Sequence, residues 1–84
     1  MNYTIGDSGD KVFNPLYSQD GDVVTYFESF GVVGTGVVKG NEPYAEGVFV
    51  YGEGWSQFAN KFFIIKVERG NEVIFQQEWY NEVQ

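Results

Sequence analysis

The sequence predicts a mostly β protein, a single small domain of five or six short antiparallel strands in a twisted sheet or a partly closed barrel. Three observations support this prediction. The apolar residues fall in short runs rich in Val, Ile, Phe and Tyr, which is the composition of strands. Clusters of Gly, Asn and Asp, which are typical of turns, separate these runs. The 2 Trp, 6 Tyr and 8 Phe supply the apolar area that a core of 84 residues without cysteine needs.

Six runs are expected to be strands. They span residues 11–17, 22–30, 32–39, 46–52, 61–68 and 72–80. Turns are expected at Asp20-Gly21, Gly40-Asn41-Glu42-Pro43, Gly52-Glu53-Gly54 and Arg69-Gly70-Asn71, with Gly31 as a bend or bulge. Residues 1–10 are polar and interrupted by glycine, which predicts a loosely ordered tail or a loop. Only residues 55–61 are a candidate for a short helix.

The closing hairpin has two possible registers. A three-residue loop at 69–71 places Glu68 opposite Glu72 and gives Asn71 the left-handed conformation. This register gathers an apolar set on one face, consisting of Phe63, Ile65, Val67, Val73, Phe75 and Trp79. A two-residue loop at Gly70-Asn71 shifts the register and divides that set between the two faces. Burial of the apolar set therefore favours the three-residue loop.

Composition excludes several classes of function. The chain has 12 acidic and 5 basic residues, a net charge of −7, and neither His nor Cys. A Ser-His-Asp or Cys-His nucleophile and a zinc site of Cys and His ligands are therefore impossible. No spacing selects two carboxylates as a general acid and base, and Asp20-Gly21-Asp22 lacks the later ligands of a calcium loop. We expect no enzymatic activity, no cofactor and no metal.

The negative charge also bears on partners and location. Direct binding to nucleic acid or to an anionic membrane needs basic residues, and the chain has few. No apolar run approaches the ~18 residues of a transmembrane helix, and residues 1–20 show no signal peptide, which predicts a cytoplasmic protein. The acidic surface serves either solubility or imitation of a polyanion, in which case it is attracted to the basic cleft of a DNA-binding protein.

The segment 25–30 is predicted to be an edge strand with an unusual charge. Glu28 interrupts an otherwise apolar and aromatic run. One interpretation is that the charge prevents pairing with another sheet edge. The other is that the strand presents Glu28 and Ser29 to a partner, while the neighbouring rings anchor it. An exposed edge here could also pair with a second copy, so the chain is expected to be a monomer or a weak homodimer.

Two motifs resemble the phage uracil-DNA glycosylase inhibitors, which are small acidic proteins that imitate DNA. Glu28-Ser29-Phe30 is similar to the family's Glu-Ser-aliphatic triplet, and Gly40-Asn41-Glu42-Pro43 is similar to its Gly-Asn-x-Pro segment. The resemblance covers about residues 27–80. This sequence departs from the family in having Phe30 at the aliphatic position. It also shows no leading helix, and residues 31–39 have strand composition where the family has a second helix.

The resemblance implies a function and a site. The chain would inhibit a DNA-binding enzyme, most specifically uracil-DNA glycosylase, by occupying its DNA-binding cleft, with Glu28 and Ser29 where phosphates lie. An apolar pocket would receive the side chain that the enzyme inserts into DNA. Its candidate lining residues are Val33, Val37, Val48, Val50, Phe63 and Ile65. The remaining candidate contacts with the partner are Phe30, Glu42, Glu46 and Glu53.

Other functions remain open at this point. An anti-restriction or anti-CRISPR inhibitor would use the same imitation of DNA. A small SH3-like or OB-like barrel would instead be a protein-interaction module with aromatic residues as its binding platform. The position of the acids discriminates between these hypotheses. Clustering of Glu28, Glu42, Glu46 and Glu53 on one face favours imitation of DNA, whereas scattered acids beside an aromatic groove favour the module.

Overall fold

The computed structural model describes residues 2–29, 31–40 and 44–80, without the side chain of Ser29, and confirms a mostly β fold. The eight strands are β1 (Tyr3–Ile5), β2 (Lys11–Phe13), β3 (Val23–Ser29), β4 (Val32–Val38), β5 (Gly47–Gly52), β6 (Trp55–Asn60), β7 (Ile64–Arg69) and β8 (Glu72–Gln76). Two single 3₁₀ turns, Pro15–Tyr17 and Lys61–Phe63, complete the elements of the described chain, which contains no α-helix.

The strands form two antiparallel sheets. β1 and β2 pair with each other, and the other six strands form one sheet in the order β6-β5-β4-β3-β7-β8. The larger sheet curls without closing into a barrel. The Tyr26 hydroxyl on β3 donates a hydrogen bond of 3.2 Å to Gln57 Oε1 on β6, although the two strands are not neighbours in the sheet. This contact shows how far the sheet curls. Of the two predicted architectures, a twisted sheet or a partly closed barrel, the structure has a curled sheet that does not close into a barrel.

The core lies on the concave face of the curled sheet. Its buried residues come from β2 through β8 and are Phe13, Val24, Tyr26, Val38, Val48, Val50, Ala59, Ile64, Val67 and Phe75. Gly36 on β4 allows a close approach of Val50 on the neighbouring strand β5. A Cβ at Gly36 would lie only 2.8 Å from Val50 Cβ, so no larger residue fits there without a shift of the strands.

Strand ends follow local chemistry that the sequence contains. β2 stops at Phe13, short of the predicted end at residue 17, because Pro15 cannot donate to a ladder and starts a 3₁₀ turn. The Asn14 side chain caps that turn by accepting from the Leu16 N–H at 3.1 Å. Asn60 caps the second turn in the same way through the Phe62 N–H, so β7 begins at Ile64 rather than at residue 61.

Two local predictions were wrong. Residues 55–61 form no helix, because Trp55–Asn60 pairs with β5 along its whole length and buries Ala59 in the core. This long-range pairing outweighs a moderate helical propensity. Residues 1–10 are not all tail or loop, since Tyr3–Ile5 pairs with Lys11–Phe13.

The closing hairpin uses the two-residue turn, so the predicted opposition of Glu68 and Glu72 was wrong. Glu68 faces Val73, Arg69 faces Glu72, and Gly70 has φ of 64°. An irregularity beyond Glu68 restores the pairing of Val67 with Phe75. Half of the predicted apolar face is buried, namely Ile65, Val67 and Phe75, whereas Phe63, Val73 and Trp79 are exposed.

The prediction of an edge strand at 25–30 was also wrong. β3 lies inside the sheet, between β4 and β7, and the two outer strands are β6 and β8. Glu28 and Ser29 lie near the end of β3, beyond its last pair with β7 at Tyr26 and Ile64. Glu28 is therefore at an end of the sheet and not along its edge.

Candidate functional site

Arg69 is held in an ion pair with the buried carboxylate of Asp22. Arg69 donates from Nε to Asp22 Oδ1 at 2.9 Å and from Nη2 to Asp22 Oδ2 at 3.0 Å. Asp22 is only 1% exposed, and it also accepts from the Gln19 N–H. The hydrogen bonds to Asp22 raise the pKa of Arg69 further above its ordinary value. Arg69 Nη2 also donates a hydrogen bond to the carbonyl oxygen of Tyr17. The guanidinium therefore links β7 to the segment 17–22.

Other basic residues also make contacts within the molecule. Lys66 is buried, and its Nζ lies 3.5 Å from Glu68 Oε1. Lys11 Nζ lies 3.6 Å from Glu78 Oε2. Lys61 is half-buried and lies over the Phe62 ring, 5.4 Å from its centroid. Lys39 lies over the ring of Tyr51. Among the basic residues of the described chain, it is the one that is exposed.

Most of the described acidic residues are exposed to solvent. Of the described carboxylate side chains, eight are exposed, namely Asp7, Asp10, Asp20, Glu28, Glu46, Glu53, Glu72 and Glu78. The described surface therefore presents eight exposed carboxylates and one exposed lysine, while Lys11, Lys61 and Arg69 are partly exposed. This ratio is more one-sided than the composition of 12 acids and 5 bases, because the fold buries or pairs most of the bases.

The described candidate acids Glu28, Glu46 and Glu53 lie at the ends of two different strands. Glu28 is exposed at the end of β3, with its carboxylate against Gly34 of β4 where a Cβ would collide with it. Glu46 precedes β5 and Glu53 follows it. The six residues of β5 lie between them, so these two acids are at opposite ends of the strand. Phe30, Glu42 and the side chain of Ser29 lie outside what the structure describes.

Glu28 has one electrostatic effect within the protein. Tyr26, two residues earlier on β3, is 1% exposed. Burial raises the pKa of the Tyr26 phenol above its ordinary value, and the negative charge of Glu28 raises it further. The shift favours the protonated phenol, which is the form that donates the hydrogen bond to Gln57.

The six candidate residues of the apolar pocket do not line one hollow. Val48 and Val50 are packed in the core, and Ile65 is fully buried. Val33 is 42% and Phe63 54% exposed, while Val37 is half-buried between its strand partners. These six residues were chosen from their positions in the expected strands. That choice failed because burial depends on whether a side chain lies on the concave or the convex face of the sheet.

An exposed group of three rings lies on the opposite, convex face of β5 and β6. Phe49 and Phe58 are directly paired across the two strands, with ring centroids 5.2 Å apart. Tyr44 contacts both rings edge-on, at 5.9 and 6.5 Å. We call Tyr44, Phe49 and Phe58 the aromatic surface. Each of the three is between 38% and 46% exposed.

The aromatic surface adjoins an open groove of about 600 Å³. Tyr44 and Phe49 line the groove together with Tyr51, and Asp20 and Lys39 supply charged groups to its lining. Sequence reasoning missed this site because Phe58 lies in the segment 55–61, which was a candidate for a short helix and not one of the expected strands. The alternation of Phe49 with Tyr51 in a strand was the signal that could have revealed one half of it.

The fold and its surface together define a small curled antiparallel β protein with an acidic exterior. Comparison of the chain with family models, curated proteins and solved structures gives no match. Within the described residues, no three acidic side chains come together as a metal site, and no helix is long and apolar enough to cross a membrane.

Proposed function

We propose that this protein binds the basic surface of a DNA-binding enzyme and inhibits it by occupying the place of DNA. The observation that carries the proposal is the ratio of eight exposed carboxylates to one exposed lysine. Such a surface attracts a basic cleft over several ångströms, accelerates the encounter and repels nucleic acid. Carboxylates can accept from the same Arg and Lys side chains that normally hold phosphates.

Uracil-DNA glycosylase is the target that we propose first, because Glu28-Ser29-Phe30 resembles the triplet of its inhibitors. The exposed position of Glu28 at the end of β3 supports a contact there. Since the six residues chosen from the sequence are divided between the core and the surface, we propose the aromatic surface as the apolar anchor instead. A few buried rings surrounded by charges suffice for tight binding.

The first test is uracil excision by a purified bacterial glycosylase, titrated with this protein at low and moderate salt. We expect stoichiometric inhibition that weakens as salt screens the carboxylates. Full activity at excess protein, at both salt concentrations, would reject the glycosylase as target. The same titration against a restriction endonuclease and a CRISPR effector then tests the wider proposal.

Glu28→Lys is the variant that locates the contact. We expect it to weaken inhibition at least about tenfold, since it replaces an attraction with a repulsion at a basic cleft. Asp7→Lys is the matched control, because Asp7 is equally exposed but lies in the β1–β2 turn. Equal inhibition by the two variants would remove Glu28 from the contact and leave only net charge. Unchanged thermal unfolding of both variants excludes misfolding.

A second candidate function is a protein-interaction module that does not imitate DNA. The separation of Glu46 and Glu53 at opposite ends of β5, together with the aromatic surface, favours it. Salt distinguishes the two functions. Imitation of DNA predicts a steep loss of affinity with salt, whereas binding through the rings alone predicts little change.

A further inference from the structure

β6 is an outer strand without the usual protection of a sheet edge. It is the last strand on its side of the six-stranded sheet, and Trp55, Ser56, Gln57 and Phe58 are all exposed. Natural edge strands normally carry a charge, a proline or a bulge that blocks pairing with another chain. Trp55–Asn60 has neither charge nor proline, and its pairing with β5 runs without any irregularity.

The other edge of the same sheet is covered. The Asn2 side-chain amide donates to the Ile74 carbonyl on β8. The rings of Tyr3 and Phe13, from β1 and β2, pack on Phe75 at 6.5 and 5.3 Å. β8 also begins with the charged residue Glu72. The amino-terminal hairpin therefore protects β8, and the structure describes no such cover over β6.

The aromatic surface lies directly beside the open edge. Phe58 belongs to β6 itself, and Phe49 and Tyr44 extend the rings onto β5 and the segment before it. A strand added to β6 would gain main-chain hydrogen bonds from the edge. Its alternate side chains would lie next to Phe58 on the convex face, because side chains alternate between the faces of a sheet.

We propose that the β6 edge accepts an extended segment of the protein partner in which basic residues alternate with apolar ones. This inference rests on the proposed function, since it takes the partner to be basic. Charge complementarity selects this occupant over a second copy, because two chains of net charge −7 repel each other. Exposed carboxylates also lie near this edge of the sheet, since Glu46 precedes and Glu53 follows β5, the strand that pairs with β6.

The proposal is tested with a capped octapeptide in which Lys and Val alternate, titrated into ¹⁵N-labelled full-length protein. We expect amide shifts concentrated in β6 and slower hydrogen exchange of its outward amides. The same peptide with Glu in place of Lys, and one with Pro in place of the two central Val residues, should bind at least about tenfold more weakly. Absence of binding, shifts centred elsewhere, or equal binding of the Pro peptide would overturn the proposal.

Phe58→Ala tests the contribution of the rings. We expect it to weaken binding of the Lys-Val peptide at least about fivefold, as loss of a central aromatic contact does. Phe62→Ala is the matched control, because Phe62 is 62% exposed on the second 3₁₀ turn and outside the aromatic surface. Equal affinities of the two variants would contradict the proposal. Phe58→Leu, which keeps an apolar side chain on the strand, guards against a loss of fold.

Two further results distinguish strand binding at β6 from the proposed inhibition of the glycosylase. If the glycosylase is not inhibited but the Lys-Val peptide binds β6, the edge assignment stands and the target is wrong. If inhibition occurs and is unaffected by Phe58→Ala while the peptide does not bind, the target stands and the edge assignment fails. A stable dimer in sedimentation at low salt would overturn the basic segment as occupant and assign the edge to a second copy.

Discussion

The two sides of the curled sheet differ in how completely their side chains are used within the molecule. On the side of β7 and β8, rings and charges find partners inside the protein, as Phe75 does with Tyr3 and Phe13 and as Arg69 does with Asp22. On the side of β5 and β6, three rings contact one another but remain about two-fifths exposed. Both sides contribute to the core, but only the side of β5 and β6 leaves an exposed aromatic surface, which we propose as the contact with a partner.

The largest expected effect comes from removing one ring on each side. Phe75→Ala should lower the free energy of unfolding by about 3–5 kcal/mol, because Phe75 is 4% exposed and its removal leaves a cavity among packed rings. Phe49→Ala should cost about 1 kcal/mol or less, since its ring is 42% exposed. Urea unfolding measures both. Equal losses would show that the aromatic surface is part of the core.

The next effect concerns the ion pair beneath the β7 side. Asp22→Asn should lower the free energy of unfolding by about 1–3 kcal/mol, because it weakens the hydrogen bonds of a buried carboxylate to Arg69. The value stays modest because the Arg69 side chain is 36% exposed and water takes up part of the lost interaction. Asp7→Asn is the control and should change stability by less than about 0.5 kcal/mol. A similar loss in both variants would mean that net charge, rather than this pair, matters.

The smallest effect concerns Tyr26 on β3, whose hydroxyl donates a hydrogen bond to Gln57 on β6. Its pKa is raised in the folded protein, so its contribution to stability is fully present below the ordinary value of about 10 and is lost as pH rises through the folded value. Urea unfolding between pH 9 and pH 12 should therefore show a smaller decline for Tyr26→Phe than for the natural chain. Parallel declines would assign the alkaline sensitivity to other groups.

Much of the local structure could be predicted from the sequence, because short-range chemistry decides it. Runs of Val, Phe and Tyr marked most strands, and glycine marked close approaches such as that of Gly36 to Val50. The sequence allowed a two-residue turn at Gly70-Asn71 as one of two registers. It did not predict the register shift between Val67 and Glu68, which lets this turn coexist with burial of Val67 and Phe75. A bulge is stabilised by packing on the whole sheet and has no clear local signal.

The candidate site could be predicted only in part. The exposed position of Glu28 agrees with the sequence, but its place at the end of an inner strand does not. The pocket residues were chosen by alternation, and alternation does not tell which face of a strand becomes concave. Phe58 was not expected in a strand, because only its long-range pairing with Phe49 distinguishes a strand from the candidate helix at 55–61.

By itself, the sequence determined the fold class, the excess of negative charge and the absence of Cys and His chemistry. These properties are sums over residues or depend on near neighbours. Only the tertiary structure decided which strands became edges and which charges stayed in water. The fold brings Arg69 to Asp22, 47 residues apart, and Lys11 to Glu78. Strand order leaves β6 with β5 on one side and no strand of the sheet on the other. The distribution of charge follows from this order, because a charge can be paired only where the fold brings its partner within reach.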